Sequence, residues 1–414
     1  MKKLLKIRYL AISLLCAGTA PAVQGASLLE VYQQALQSDP LIHEADARRL
    51  AASEAAPQAR SLLFPQIQAS AGYTTSESAG NQLIVDTVSG ANSVPFSSDV
   101  DSESWDIGIR QTVFRWDQIV GLKQANKVVA RAEADYEAAQ QDLMLRVAQR
   151  YFDVLAAEDV LTSIHANRLA IARQLEQAKQ RFEVGLIAIT DVQESQAAHD
   201  QAVADEIGAK RTLATAREFL REITGEYSAS LAAPTEEFPL VSPNPADESS
   251  WIDLAMSQNL AVISSRLSEQ VARDEIAFRR TGHYPTIDLV AGRGYAEQSG
   301  ETEFNFGGQS PIESDSLGNS ISLQLTLPIF TGGRTSSRVR EAVYLHRASR
   351  EQLQRVARET ERQTRDAYLG VLAEISRVNA LKQAVESSRT ALQATEGGFE
   401  VGTRKIVYVI NSQF

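Results

Sequence analysis

The chain has 414 residues, enough for two ordinary domains or one long one, and 43% of them are hydrophobic. A net charge of −11 excludes a general nucleic-acid binder and a basic helix lying on a membrane surface. The single cysteine, Cys16, excludes a disulfide framework.

The first 26 residues have the layout of an export signal. Lys2, Lys3, Lys6 and Arg8 make a basic start, Tyr9 to Ala17 an apolar run, and small residues follow to Gly25 and Ala26. Cys16 lies inside this segment. Leu15 before it does not suit lipoprotein processing, which wants a small residue there, so lipidation is the lesser reading. No later stretch supplies the ~20 apolar residues of a membrane helix. A membrane crossing would therefore have to use strands.

Residues 27–227 form a first repeat of helix, two strands and a long helical hairpin. Ile67, Ala69, Ala71 and Tyr73 alternate with polar or small residues, as do Trp105, Ile107, Ile109 and Val113, with Gln111 interrupting. A period of two gives each strand one apolar and one polar face. Thr75 to Ser104 is expected to be a long polar loop between them. A stripe at three- and four-residue steps then runs from Val129 through Leu143, Val147, Tyr151 and Val154 to Leu175 and Phe182. There is no proline between Asp117 and Phe182, so a single helix of roughly 100 Å is predicted, long enough for coiled-coil-like packing. Gly185 marks its end, and Thr190 with Gln193 has the spacing of a capping box that would start the returning helix.

Residues 228–250, rich in Pro, Ser, Ala and acidic side chains, read as a linker. Residues 251–414 then repeat the pattern. Tyr151 to Ala156 recurs as Tyr368 to Ala373, and Phe182 to Gly185 as Phe399 to Gly402; 368 − 151 and 399 − 182 are both 217. Two separated motifs in one register imply a helix of equal length in both halves. Ile321, Leu323, Leu325, Leu327 and Ile329 again alternate, and Glu297 to Asn319 is expected to be the second polar loop. By the same offset Gly225 would have its counterpart at residue 442, so most of a last helix is expected to be missing, as in a truncated product or a fragment. Four amphipathic strands cannot close a barrel, for which about eight is the smallest usual number. Copies would have to pool them, two giving eight strands and three giving twelve.

The doubled tip motif, Phe182-Glu183-Val184-Gly185-Leu186-Ile187-Ala188-Ile189-Thr190-Asp191-Val192 and Phe399-Glu400-Val401-Gly402-Thr403-Arg404, makes the mature chain resemble the TolC family of outer-membrane factors. Arg221 to Gly225 and Leu327 to Gly333 support the resemblance. It implies a mainly helical subunit of a homotrimer, with a shared 12-stranded barrel in outer-membrane lipid and a helical tube in the periplasm. It implies a passive exit duct for efflux or type I secretion, working with a periplasmic adaptor and an inner-membrane pump. By position, Thr190, Asp191, Phe399 and Arg404 would hold the gate. Gly185, Leu186, Gly402 and Thr403 would touch the adaptor. Tyr408 and Asn411 fall at the constriction. Two departures follow: Phe399 replaces a tyrosine of the latch, and Tyr408 and Asn411 replace the acidic rings that narrow the tip.

No phosphate loop, nucleophile elbow or zinc spacing occurs, and the five histidines are scattered. No cofactor, no nucleic acid and no enzymatic activity are expected. The competing reading is a soluble periplasmic coiled-coil adaptor or scaffold, which would have no use for four amphipathic strands.

Overall fold

A computed structural model describes residues 25–86, 90–227, 230–234, 239–305, 307–401, 403 and 408. The side chains of residues 84, 86, 399 and 400 lie outside this description, as do residues 1–24 and with them nearly all of the export signal. Within it the chain forms helices α1 (Leu28–Ser38), α2 (Pro40–Ser53) and α3 (Ala55–Ser61), strands β1 (Gln66–Asp86) and β2 (Gly90–Phe114), and helices α4 (Trp116–Glu183) and α5 (Ile189–Thr224). Helices α6 (Glu248–Gln258) and α7 (Leu260–Arg280), strands β3 (Thr286–Phe304) and β4 (Gly308–Thr326), and helix α8 (Arg334–Glu400) follow. The doubled order expected from the repeat is there, and α4 and α8 have nearly equal lengths of 68 and 67 residues.

The chain divides into two compact units, each drawing on both repeats. One holds Met1–Asp46, Tyr136–Asp253 and Arg362–Phe414; the other holds Ala47–Asp135 and Leu254–Glu361. In the first, the stripe on α4 meets α1 and α5 in a core of Val31, Ala35, Leu143, Val147, Val154, Leu213 and Leu220. Leu143 and Val147 have no solvent exposure. Tyr151 is buried in the same core, and its hydroxyl donates to the carbonyl oxygens of Ala26 and Ala232, which gives this polar atom partners in a dry setting.

In the second unit the four strands form one antiparallel sheet in the order β1-β2-β3-β4. The central pair, β2 with β3, joins the two repeats. α7 is tied to the start of α4 by Lys127 Nζ to Asp274 Oδ2 at 2.6 Å, and to α8 by His346 Nε2 to Glu269 Oε1 at 2.6 Å.

Most of each expected loop is strand. β1 pairs with β2 from Gln66↔Arg110 out to Asp86↔Gly90, and β3 with β4 from Thr286↔Thr326 to Phe304↔Gly308. These Ser-, Gly- and acid-rich stretches carry little apolar signal, but a ladder needs none: each backbone N–H and C=O finds its partner across the hairpin whatever the side chain. The expected capping box is also absent. α5 begins at Ile189, so its N-cap is Ala188, which has no side chain to cap with.

Candidate functional site

Two surfaces stand out, and the sheet is the larger. The register places odd-numbered residues of all four strands on one face and even-numbered ones on the other. On the odd face, Ile67, Ile109, Ala291 and Ile321 make one cross-strand row, and Ala71, Trp105, Tyr295 and Leu317 another. Nearer the helices, a bulge between Thr112 and Phe114 sets Phe114 opposite Ile287, which itself pairs with Leu325. Gln111 interrupts the apolar face as expected, but its amide donates to the carbonyls of Leu63 and Thr112 at 3.0 and 2.8 Å.

Nothing among the described residues covers this band. Ile321 is 79% exposed and Leu323 68%. The only buried residue described in any strand is Asp288. The band takes about ten residues of β2, β3 and β4 and the first six of β1. At ~3.4 Å per residue and a tilt near 40°, that is about 25 Å of height, the thickness of the apolar belt on an outer-membrane barrel. Trp105 and Tyr295 stack at its outer edge, centroids 6.3 Å apart, where an aromatic girdle belongs. Arg293 and Asn319, the polar exceptions, share the row just inside that edge. The even face at the same height carries Gln66, Gln68, Asp106, Arg110, Ser320 and Ser322, a wettable wall. No helix among the described residues is long and apolar enough to cross a membrane. β1 and β4 are long edge strands, open to further pairing.

The second surface is the turn between α4 and α5. Gly185 has φ +76°, a left-handed conformation that suits glycine. The Leu186 N–H closes the helix end by donating to the Arg181 carbonyl at 2.8 Å. Ile187 packs on Ala178 and Val192, while Val184 and Leu186 stand out, Leu186 at 73% exposure. Thr190 is exposed and Asp191 half-buried in the first turn of α5. In the second tip, the Thr403 N–H and hydroxyl both donate to the Gly398 carbonyl at 2.9 Å, and Tyr408 is exposed. Gly402, Arg404 and Asn411 lie outside the described residues, as does the side chain of Phe399, so only the first half of the expected latch can be placed.

A cluster that the sequence reading did not single out joins α4 to α5. The carboxylate of Glu206, a residue only 6% exposed, accepts from Lys210 at 2.8 Å and from His165 at 3.2 Å, and makes an ion pair with Arg168. The bond from Lys210, then that from His165 and that from Arg168, hold its pKa down to about 2 against burial. The i,i+4 spacing of Glu206 and Lys210 was visible in sequence; their meeting with α4 depends on how the hairpin closes. Among the described residues no group of acidic, His or Cys side chains has the arrangement of a metal site.

A four-stranded sheet with open edges and a bare apolar belt, borne on long helices, defines a class: subunits that complete a membrane barrel by pooling strands. The family model described as outer membrane efflux protein matches residues 31–226 and 251–413, and the chain belongs to that family. It is 38% identical over 413 residues to the outer membrane protein TolC of Vibrio cholerae, covering all of this chain and 89% of that protein. It is 27% identical to the alkaline protease secretion protein AprF of Pseudomonas aeruginosa, covering 93% and 78%. Among solved structures it resembles the outer membrane protein VceC of Vibrio cholerae, with a TM-score of 0.71 at 18% identity, covering 93% and 89%.

Proposed function

We propose that this chain is one subunit of an outer-membrane channel, a passive exit for an efflux pump or a type I secretion system. The uncovered apolar belt on one face of a sheet with two open edges carries the reading. Lipid on the odd face and strand pairing at both edges supply what the isolated chain lacks. Three copies give twelve strands, with the even faces lining the pore. The efflux family and the likeness to proteins named for TolC and for protease secretion support this direction. A periplasmic scaffold is disfavoured, since it would leave the belt in water.

The same reading gives the tips their role. Leu186 and the neighbouring apolar residues at Gly185, with Gly402 and Thr403 of the second tip, offer the surface for a periplasmic adaptor and through it an inner-membrane pump. Thr190, Asp191, Phe399 and Arg404 form the latch that keeps neighbouring hairpins together, and Tyr408 and Asn411 line the narrowest part. An Arg–carboxylate bond in water contributes only about 0–1 kcal/mol, weak enough for docking to break.

Separation of the envelope tests the reading. The protein should remain with the outer membrane after a salt wash and migrate as a trimer in mild detergent. Recovery as a soluble periplasmic monomer would overturn it.

A further inference from the structure

Beyond the Trp105–Tyr295 row the polarity of the sheet inverts. The odd face, apolar nearer the helices, becomes acidic: one carboxylate on β1, three on β2, three on β3 and two on β4, among them Asp99, Glu103, Glu297 and Glu313. The even face loses its charge. From Gly72 to Gly80, Phe96 to Ser104, Ala296 to Phe304 and Gly308 to Ser316, no even-numbered residue is charged, and most are Ser, Thr or Gly.

Apolar side chains sit on this charge-free face where a hairpin in water would have no use for them. Phe96 and Phe304 are direct cross-strand partners in the outermost row that all four strands share, flanked by Gly80 on one side and Gly308 on the other; the β1–β2 ladder continues six rows beyond it. Phe96 lies so close over Gly80 that a Cβ there would come within 3.2 Å of its ring. Val100 and Ile312 share a row four residues nearer the membrane. All four are half-buried.

Two faces of one hairpin with such different chemistry meet different surroundings. Carboxylates belong in open water. Phenylalanines belong where they face other apolar groups, and in a ring of three copies the even faces look at one another. A 12-stranded barrel is about 24 Å across between backbones, and opposed phenylalanines narrow that to about 12 Å.

We propose that Phe96 and Phe304 of each copy form an apolar ring toward the outer mouth of the channel, a narrowing that neutral and apolar groups of the cargo touch in passing. The proposal rests on the channel reading above and adds a second narrow point, at the opposite end of the chain's strands from the helices.

Cysteine placement in the full chain tests it. Phe304→Cys should be joined between copies by a bis-maleimide with a reach of about 17 Å, giving covalent dimers, the most that one cysteine per copy allows. Glu303→Cys, one residue away on the acidic face, and the unsubstituted chain should not. In planar bilayers, an anionic thiosulfonate added from the outer side should lower the current of the Phe304→Cys channel by roughly twofold or more and leave that of Glu303→Cys unchanged. Trimers in which Glu303→Cys is joined and Phe304→Cys is not would overturn the ring and leave the channel standing. So would a current unmoved by verified labelling at position 304. Absence of both trimers and outer-membrane recovery would instead overturn the channel reading beneath it.

Discussion

The helical core and the sheet hold apolar residues of the same kinds to opposite effect. On α4, Leu143 and Val147 are sealed against α1 and α5, so the chain completes that core by itself. On β4, Ile321 and Leu323 are as apolar and largely bare. An exposed apolar band of this extent does not belong in water. The difference separates residues that fold the chain from residues that choose its solvent.

Leu143→Ala is expected to have the largest effect. Loss of a fully buried leucine side chain costs about 2–5 kcal/mol, read as a lower melting temperature in detergent. Leu323→Ala removes the same atoms from the bare belt and should leave that melting point nearly unchanged; equal losses would break the comparison. Next comes charge in the belt. Leu323→Arg should cost about 2–4 kcal/mol if it lies near the bilayer midplane, and should reduce recovery in the outer membrane. Ser322→Arg, one residue away on the even face, should be tolerated. If both substitutions are equally harmful, the assignment of faces is wrong.

The third test separates charge from packing within the helices. Glu206 is held at a pKa of about 2, below its ordinary 4.5. Its contribution is therefore complete above pH 4.5 and is lost as the pH falls from there toward 2. Limited proteolysis of the α4–α5 hairpin should accelerate across that window in the native chain, while Glu206→Gln should be sensitive already at pH 7 and change less with acid. The smallest effect belongs to the tip. Asp191→Ala should remove only about 0–1 kcal/mol per copy and leave the melting temperature alone. A rise in resting conductance would reveal it, and an unaltered current would count against Asp191 as a latch residue.

Much of this was legible in the sequence because it is local. The three- and four-residue stripe around Tyr151 predicted α4 within a residue or two of its ends, and the 217-residue offset predicted its equal on α8. The left-handed Gly185 followed from its place after Phe182-Glu183-Val184. Two expectations failed for physical reasons. Polar composition suggested loops where the backbone ladder continues, because pairing between strands leaves little trace in side-chain type. Thr190 suggested a helix start because its spacing to Gln193 was right, yet the turn places Ala188 at the cap.

By itself the sequence determined which residues could share a face: odd or even along each strand, and one stripe along each helix. It did so because those periods are set by the backbone of a single element. Only the tertiary structure decided what lies against each face. Leu143 on α4 has no exposure while Leu323 on β4 is 68% exposed, though each lies on the apolar face of its element. Likewise the pairing of β2 with β3, which brings Phe96 opposite Phe304, depends on segments two hundred residues apart. Contact between distant elements is a property of the folded chain, and no local pattern contains it.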